Sequence, residues 1–223
     1  MLGTLRLPLL LVLAGSPAAG AGTNIAISAA AAATGGWRHA REGRVDWRVV
    51  AWMAPPSVAG AIAGGLLGGS IPEQLLYGGV AAVLAWQGAD LLARPFGAKP
   101  RAEPRLWPAA AFGAVIGALG GALGVILGTL RMPALLRAVG LTASRAVGTN
   151  LVVGFLLGLG GFAAHAAQLE VEWGLLAAGL AGALPGAWAG AHVTGLLSEE
   201  TLRRAIGVAL LAIATAFAVS ALR

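Results

Sequence analysis

Seven stretches of this chain carry no Asp, Glu, Lys or Arg: Leu7–Trp37, Val49–Pro72, Gln74–Ala89, Leu106–Leu130, Ala146–Leu169, Trp173–Ser198 and Ala205–Leu222. A helix needs about 20 mostly apolar residues to cross a bilayer, and most of these stretches reach that length. In hydrocarbon every backbone N–H and C=O must be satisfied inside the segment, so a single spanning stretch has to be helical. Composition agrees. Only 11% of the residues are charged, where soluble domains carry about a quarter, and mean hydropathy is +0.82. The predicted class is an all-α polytopic membrane protein.

The balance of charge fits that class. A net charge of +6 could point to nucleic acid, but the arginines stand in short connectors, where membrane topology accounts for them. No nucleic-acid partner is therefore expected. With no cysteine there are no disulfides, thiolate metal sites or cysteine nucleophiles. No HExxH, Walker loop or GxSxG occurs, so the reading is not an enzyme, with no cofactor, metal or catalytic residue. Small residues recur at every fourth position in Gly60, Gly64, Gly68; in Gly113, Gly117, Gly121; and in Ala178, Gly182, Gly186, Gly190. That spacing lets helix backbones approach closely inside a bilayer.

An internal repeat organises the chain. Leu2–Pro8 (LGTLRLP) returns as Leu127–Pro133 (LGTLRMP), 125 residues on; Gly22-Thr23-Asn24 returns as Gly148-Thr149-Asn150, and Gly60–Gly64 as Gly186–Gly190, both 126 on. Three blocks in order at nearly constant offset indicate a duplication. Met1–Gly22 has the look of a secretory signal, with Arg6, an apolar run and small residues beyond. The repeat makes it part of a structural unit instead, one expected to be retained. The second copy is preceded by an apolar helix, Pro108–Leu127, that the first copy lacks. The expected division is a first repeat over 1–93, a linker over 94–107 and a second repeat over 108–223, all in one transmembrane domain.

Loop charge orients the copies. The connector after the first Gly-Thr-Asn segment holds Arg38, Arg41, Arg44 and Arg48 against Glu42 and Asp46; its counterpart holds Glu170 and Glu172 and no base. By the positive-inside tendency the two connectors face opposite sides. Segments 38–48 and 94–107 are then cytoplasmic, in a multi-pass protein of the cell membrane, and the two repeats are inverted, as in many secondary transporters. Within each copy the sequence predicts a re-entrant hairpin. Pro133 opens a short helix that Gly140 closes, as Pro8 and Gly15 do earlier, by the usual helix punctuation. Pro8, Pro133 and Gly128 are the predicted structural breaks. Thr149 then starts a helix running to about Ala164. Irregular backbone at membrane depth is tolerated only where protein buries it or a wet cavity lines it, so the two tips are expected to meet near the midplane.

The chemistry is expected at those tips. Thr23 and Thr149 can cap the helix that follows, Asn24 and Asn150 add amide donors, and Gly22 and Gly148 belong to the same substrate-binding motifs. A helix start inside the membrane favours an anion. Arg131 and Arg145, with Arg6 in the first copy, extend positive potential along the path. The other reading of these Thr and Asn residues is that they only cap and cross-link helices. Asp90 pairs locally with Arg94 one turn on, His192 and Gln87 pack within their helices, and His39 and His165 fall in connectors as solvated side chains.

These residues resemble the TauE/SafE sulfite exporter family of membrane permeases. Gly124–Pro133 (GVILGTLRMP) with Gly148-Thr149-Asn150 is similar to its second copy. Leu2–Pro8 with Gly22-Thr23-Asn24, then Trp37-Arg38-His39 and Val45-Asp46-Trp47-Arg48, is similar to the first. This sequence departs from the family pattern in having Ile126-Leu127-Gly128 for a glycine triplet and Asn for Ser in both motifs. The resemblance implies export of a small oxyanion, sulfite or a sulfonate, through a midplane site between the repeats. The partners are then that anion and the lipid bilayer, with homo-oligomerisation left open. The alternative function is a non-transporting membrane subunit, an assembly partner with a closed cavity.

Overall fold

Ser16 and Thr142 decide where the two longest helices begin. Ser16 is extended (φ −152°, ψ 157°) and its hydroxyl accepts the Ala19 N–H at 3.1 Å, with Pro17 in the first helical position. Thr142 is extended likewise and accepts the Arg145 N–H. A hydroxyl cap followed by proline is the signature of a helix start. The helices they open, α2 (Pro17–Arg41) and α7 (Ala143–Ala167), each run 25 residues, about 37 Å at 1.5 Å per residue. In this computed structural model, which describes residues 2–68, 70–93, 101–194 and 199–222, the other elements are α1 (Leu2–Leu13), α3 (Trp47–Gly68), α4 (Glu73–Ala93), α5 (Leu106–Leu123), α6 (Gly128–Pro133) with a π-helical turn over Ala134–Val139, α8 (Trp173–Thr194) and α9 (Glu199–Ala221). The described residues form helices and no strand. Among the described residues, three helices are long and apolar enough to cross a membrane: Trp47–Gly68, Leu106–Leu123 and Ser144–Ala167.

The duplication extends to the helix bounds. Bounds 2 and 13 return as 128 and 139, 17 and 41 as 143 and 167, and 47 and 68 as 173 and 194. Even the left-handed turn repeats: Gly43 (φ 67°) and Leu169 (φ 60°) hold the same place in the two connectors.

The helices within the expected hairpins start elsewhere than predicted. Because Ser16 and Thr142 supply the caps, Thr23 and Thr149 lie inside α2 and α7, about two turns past the start. Pro8 sits within α1, and Pro133 ends α6 rather than opening a helix. Lacking an N–H, Pro133 is followed by the wider π turn, in which the Gly140 N–H bonds the Leu135 carbonyl at 3.0 Å. Gly140 does close this segment, left-handed at φ 92°. The broken element of the second copy is therefore the non-helical stretch Val125–Leu127 followed by α6 and its π turn.

The chain divides into two compact units that each draw on both copies: Met1–Gly69 with Ala98–Ala177, and Ser70–Gly97 with Ala178–Arg223. In the first, α2 and α7 are antiparallel. Gly22 lies against His165, Gly161 against Ile25, Gly158 against Ala29, Gly35 against Leu151 and Gly148 against His39. Helix α5 runs parallel to α3, with the two predicted glycine stripes interlocked: Gly60 and Gly64 on Ala118, Gly117 on Ser57, Gly121 on Ala61. The Arg101 and Arg105 N–H groups bond the Gly140 and Val139 carbonyls at 2.8 and 2.9 Å, which ties the end of the π turn to the start of α5. Val49, Val50, Met53, Leu135, Val139 and Val153 form an apolar core there. In the second unit α4 and α9 are antiparallel, with Gly88 against Leu211, Gly207 against Leu92 and Tyr77 edge-on to Phe217. Of the third predicted stripe, Gly182 has no atom within 4 Å of where a Cβ would stand. The surroundings of Gly186 and Gly190, the side chain of His192 and the whole of Arg94 lie outside what is described.

Candidate functional site

The two Gly-Thr-Asn motifs make matching contacts. A Cβ on Gly22 would strike the Glu170 carbonyl, and one on Gly148 the Arg44 carbonyl; only glycine lets a connector pass so close. The Thr23 hydroxyl accepts the Glu172 N–H at 2.9 Å, and the Thr149 hydroxyl accepts the Asp46 N–H at 2.9 Å. Both threonines are fully buried. Each motif thus locks the connector that follows the partner helix. Thr23 stands at the His165 end of the α2/α7 pair and Thr149 at the His39 end. Sixteen residues of α2, from Thr23 to His39, separate the two levels, roughly 20–25 Å along the pair. The expected meeting of the two motifs is overturned, because each hydroxyl is committed to a connector and the helices run in opposite directions. Thr23→Val and Thr149→Val should each cost about 1–2 kcal/mol, the loss of a partner for a poorly solvated N–H, read as a lower melting temperature in detergent.

Within each copy the asparagine of the motif meets an arginine of the preceding helical segment. Asn24 Nδ2 donates to the Gly124 carbonyl at 2.8 Å, and Asn150 Nδ2 to the Gly128 carbonyl at 3.2 Å. A Cβ on Gly128 would stand 2.9 Å from Asn150 Nδ2, so glycine there makes room for the amide. In the first copy Arg6 is well partnered: Nε donates to Asn24 Oδ1 at 3.1 Å, and Nη2 to the Ser28 hydroxyl at 2.9 Å and the Asn24 carbonyl at 3.3 Å. In the second copy Arg131 is fully buried, and Nη1 donates to the Asn150 carbonyl at 3.2 Å. Its Nε and Nη2 have no partner, and neither has the buried Asn150 Oδ1. Nε and Nη2 share the edge of the guanidinium that grips two oxygens of a carboxylate or sulfonate side by side. Such donors cost more than a kcal/mol each when buried unmade.

These guanidiniums reach the middle of the helix pair. Ser28 takes Arg6, and a Cβ on Gly154 would stand 3.5 Å from Arg131 Nη1 and 4.0 Å from Ala32 Cβ. Residues 28 and 32 flank the centre of α2. Arg145, expected along the same path, instead lies exposed and pairs with Asp46 at 3.6 Å.

The expected solvation of His165 is also overturned. Its ring is completely buried, with Nδ1 2.8 Å from Glu170 Oε2 and Nε2 3.0 Å from the Gly121 carbonyl. Gly22, Gly65 and Gly68 make the space it fills. His39, 126 residues earlier, has a buried Nδ1 without a partner. In the basic connector Glu42 joins Arg38 at 3.1 Å and Arg44 at 2.8 Å. The Arg38 hydrogen bond lowers its carboxyl from the ordinary value. Sequence reasoning missed the Ser28/Gly154 contrast and the His165–Glu170 pair. The 126-residue offset was the signal available for the first.

In comparison with known proteins, the profile of the family described as sulfite exporter TauE/SafE aligns with residues 2–217. No curated protein and no solved structure matches the chain.

Proposed function

Because this chain belongs to the sulfite exporter TauE/SafE family, a family of membrane transporters, we propose that it is a secondary transporter exporting a small oxyanion, sulfite or a sulfonate, across the cell membrane. The observation that carries the reading is the Arg131 guanidinium, a charge sealed inside an apolar chain with its two-pronged edge unpartnered. Buried charge is costly unless it is paired, and charge at membrane depth usually marks a substrate pathway.

The geometry supports a pair of inverted repeats around that charge. Helices equivalent at the 126-residue offset, α2 and α7, pack antiparallel, as a twofold axis perpendicular to both would require. With the helices standing across the bilayer, that axis lies in the membrane plane and the copies insert oppositely. Exposed Trp37, Trp47 and Trp107 stand at the end carrying the basic connector, and exposed Trp173 at the other, the places where tryptophan marks a membrane interface. Arg131 then lies near mid-depth. The Gly-Thr-Asn threonines hold the two connectors at opposite faces, and the amide of Asn150 belongs to the binding site.

Two measurements test this. Purified protein in liposomes should carry sulfite or a sulfonate down a gradient; folded protein that moves none, yet copurifies with another membrane chain, would make it an assembly partner. The chain has no cysteine, so Arg48→Cys and Ala167→Cys give clean probes of sidedness. A membrane-impermeant maleimide should label Arg48→Cys from the cytoplasmic side and Ala167→Cys from the opposite side. Labelling of both from one side would refute the inversion.

A further inference from the structure

The two copies differ at one place in a way that bears on the ligand. In the first copy the bidentate edge of Arg6 is filled from within the chain, Nε by Asn24 Oδ1 and Nη2 by the Ser28 hydroxyl. Those two oxygens occupy the guanidinium as an oxyanion would. In the second copy the residue 126 positions after Ser28 is Gly154. It offers no hydroxyl, and Arg131 Nη2 is unpartnered. The Asn bond is missing too: Arg131 Nε and Asn150 Oδ1, the equivalents of the pair bonded at 3.1 Å in the first copy, are both buried without partners. The Asn150 amide is turned by its Nδ2 bond to the Gly128 carbonyl, which leaves the oxygen as the unused end.

This place therefore presents two donors and one acceptor. An oxyanion whose oxygens all accept can satisfy the donors, but it sets a lone pair against the carboxamide oxygen and leaves that oxygen unpaired. A ligand that carries its own O–H or N–H beside the anionic group satisfies all three atoms. Sites built to receive a donor discriminate strongly against analogues lacking it, since a buried polar atom is otherwise left unmade.

We propose that Arg131, Asn150 and Gly154 form a single binding site per chain for a monoanionic oxyanion bearing its own hydrogen-bond donor, hydrogensulfite or a hydroxy- or aminosulfonate, and that Ser28 closes the equivalent place in the first copy. The inference rests on Arg131 being the anion site of the transporter. It adds the protonation or substitution state of the ligand, the stoichiometry and the residue that sets the asymmetry. Gly154 is the determinant. A Cβ there would stand 3.1 Å from Ile126 Cγ2 and 3.5 Å from Arg131 Nη1, so serine fits with small shifts and sets a hydroxyl beside the guanidinium.

Equilibrium binding to the purified full chain in detergent, by calorimetry, tests this without depending on flux. The probes are 2-hydroxyethanesulfonate and ethanesulfonate, equal in charge and close in size, with sulfate as an all-acceptor control. We expect one site per chain, at least tenfold preference for 2-hydroxyethanesulfonate, loss of that preference in Asn150→Leu, and at least tenfold weaker binding of both sulfonates in Gly154→Ser at a melting temperature no lower than that of the wild type. Equal affinity for the two sulfonates, or wild-type affinity in Gly154→Ser, overturns this inference while leaving the transport reading in place. Folded wild-type protein that binds none of the three anions overturns both.

Discussion

Replacing Arg131 with methionine should leave a more stable protein that no longer moves anions. The guanidinium is wholly buried and makes one hydrogen bond, from Nη1 to the Asn150 carbonyl, while Nε and Nη2 go unmatched. An apolar side chain of similar length forfeits that one bond, worth about 1 kcal/mol or somewhat more, and removes a buried charge whose desolvation costs several kcal/mol. Melting in detergent should move upward, by the equivalent of about 1–3 kcal/mol. Transport should fall by at least 100-fold, because two charge-assisted bonds to the anion, about 1.5–3 kcal/mol each, disappear together. Arg6→Met should do the reverse on stability. Its guanidinium is matched by Asn24 and Ser28, and removing it strands both. Opposite shifts in melting temperature for equivalent residues would be the mark of one open and one closed half-site. A lower melting temperature for Arg131→Met, or wild-type flux, would remove Arg131 from the binding role.

That contrast also shows what the chain disclosed before its structure. The duplication was legible, because a 125–126-residue offset in three short blocks reappears as helix bounds 126 residues apart. So were the glycine stripes of α3 and α5, whose four-residue spacing is the spacing at which two backbones can interlock. The helix starts were misread. Thr23 and Thr149 follow a glycine and precede an apolar run, as a cap does, yet Ser16 before Pro17 and Thr142 hold the better positions. A hydroxyl buried two turns inside a helix takes its partner from a distant connector, which local sequence does not name. Burial of His165 was illegible for a similar reason: Gly22, Gly65 and Gly68 come from α2 and α3 to enclose it. Arg131 was read as one member of a charged path. That residue 154 is glycine where residue 28 is serine is visible only when both copies are laid over each other.

Gly121→Leu should abolish the folded state. A Cβ at position 121 would overlap the Ala61 carbonyl and stand 2.7 Å from Ala61 Cα. The obstacle is therefore backbone, which cannot swing aside as a side chain does. Gly117 meets the Ser57 backbone in the same way one turn earlier, so the α3/α5 contact is fixed along its length and cannot slip to a looser register without breaking the neighbouring turn. In a bilayer this close packing supplies most of what holds two helices together, since lipid already solvates apolar side chains. The Gly121 carbonyl also accepts from His165 Nε2 at 3.0 Å, so a displaced α5 unseats the buried histidine as well. Overpacking of this kind, with the loss of a buried bond, belongs among substitutions costing more than about 4 kcal/mol. The expected result is aggregated protein with no monodisperse peak in detergent. Gly174→Ala is the matched control. It adds a Cβ with nothing within 4 Å in the first turn of α8, and replacing glycine by alanine in a helix is worth up to about 1 kcal/mol in its favour. Monodisperse Gly121→Leu with wild-type melting would mean that α3 and α5 do not pack backbone to backbone, and the frame that holds His165 would have to be redrawn.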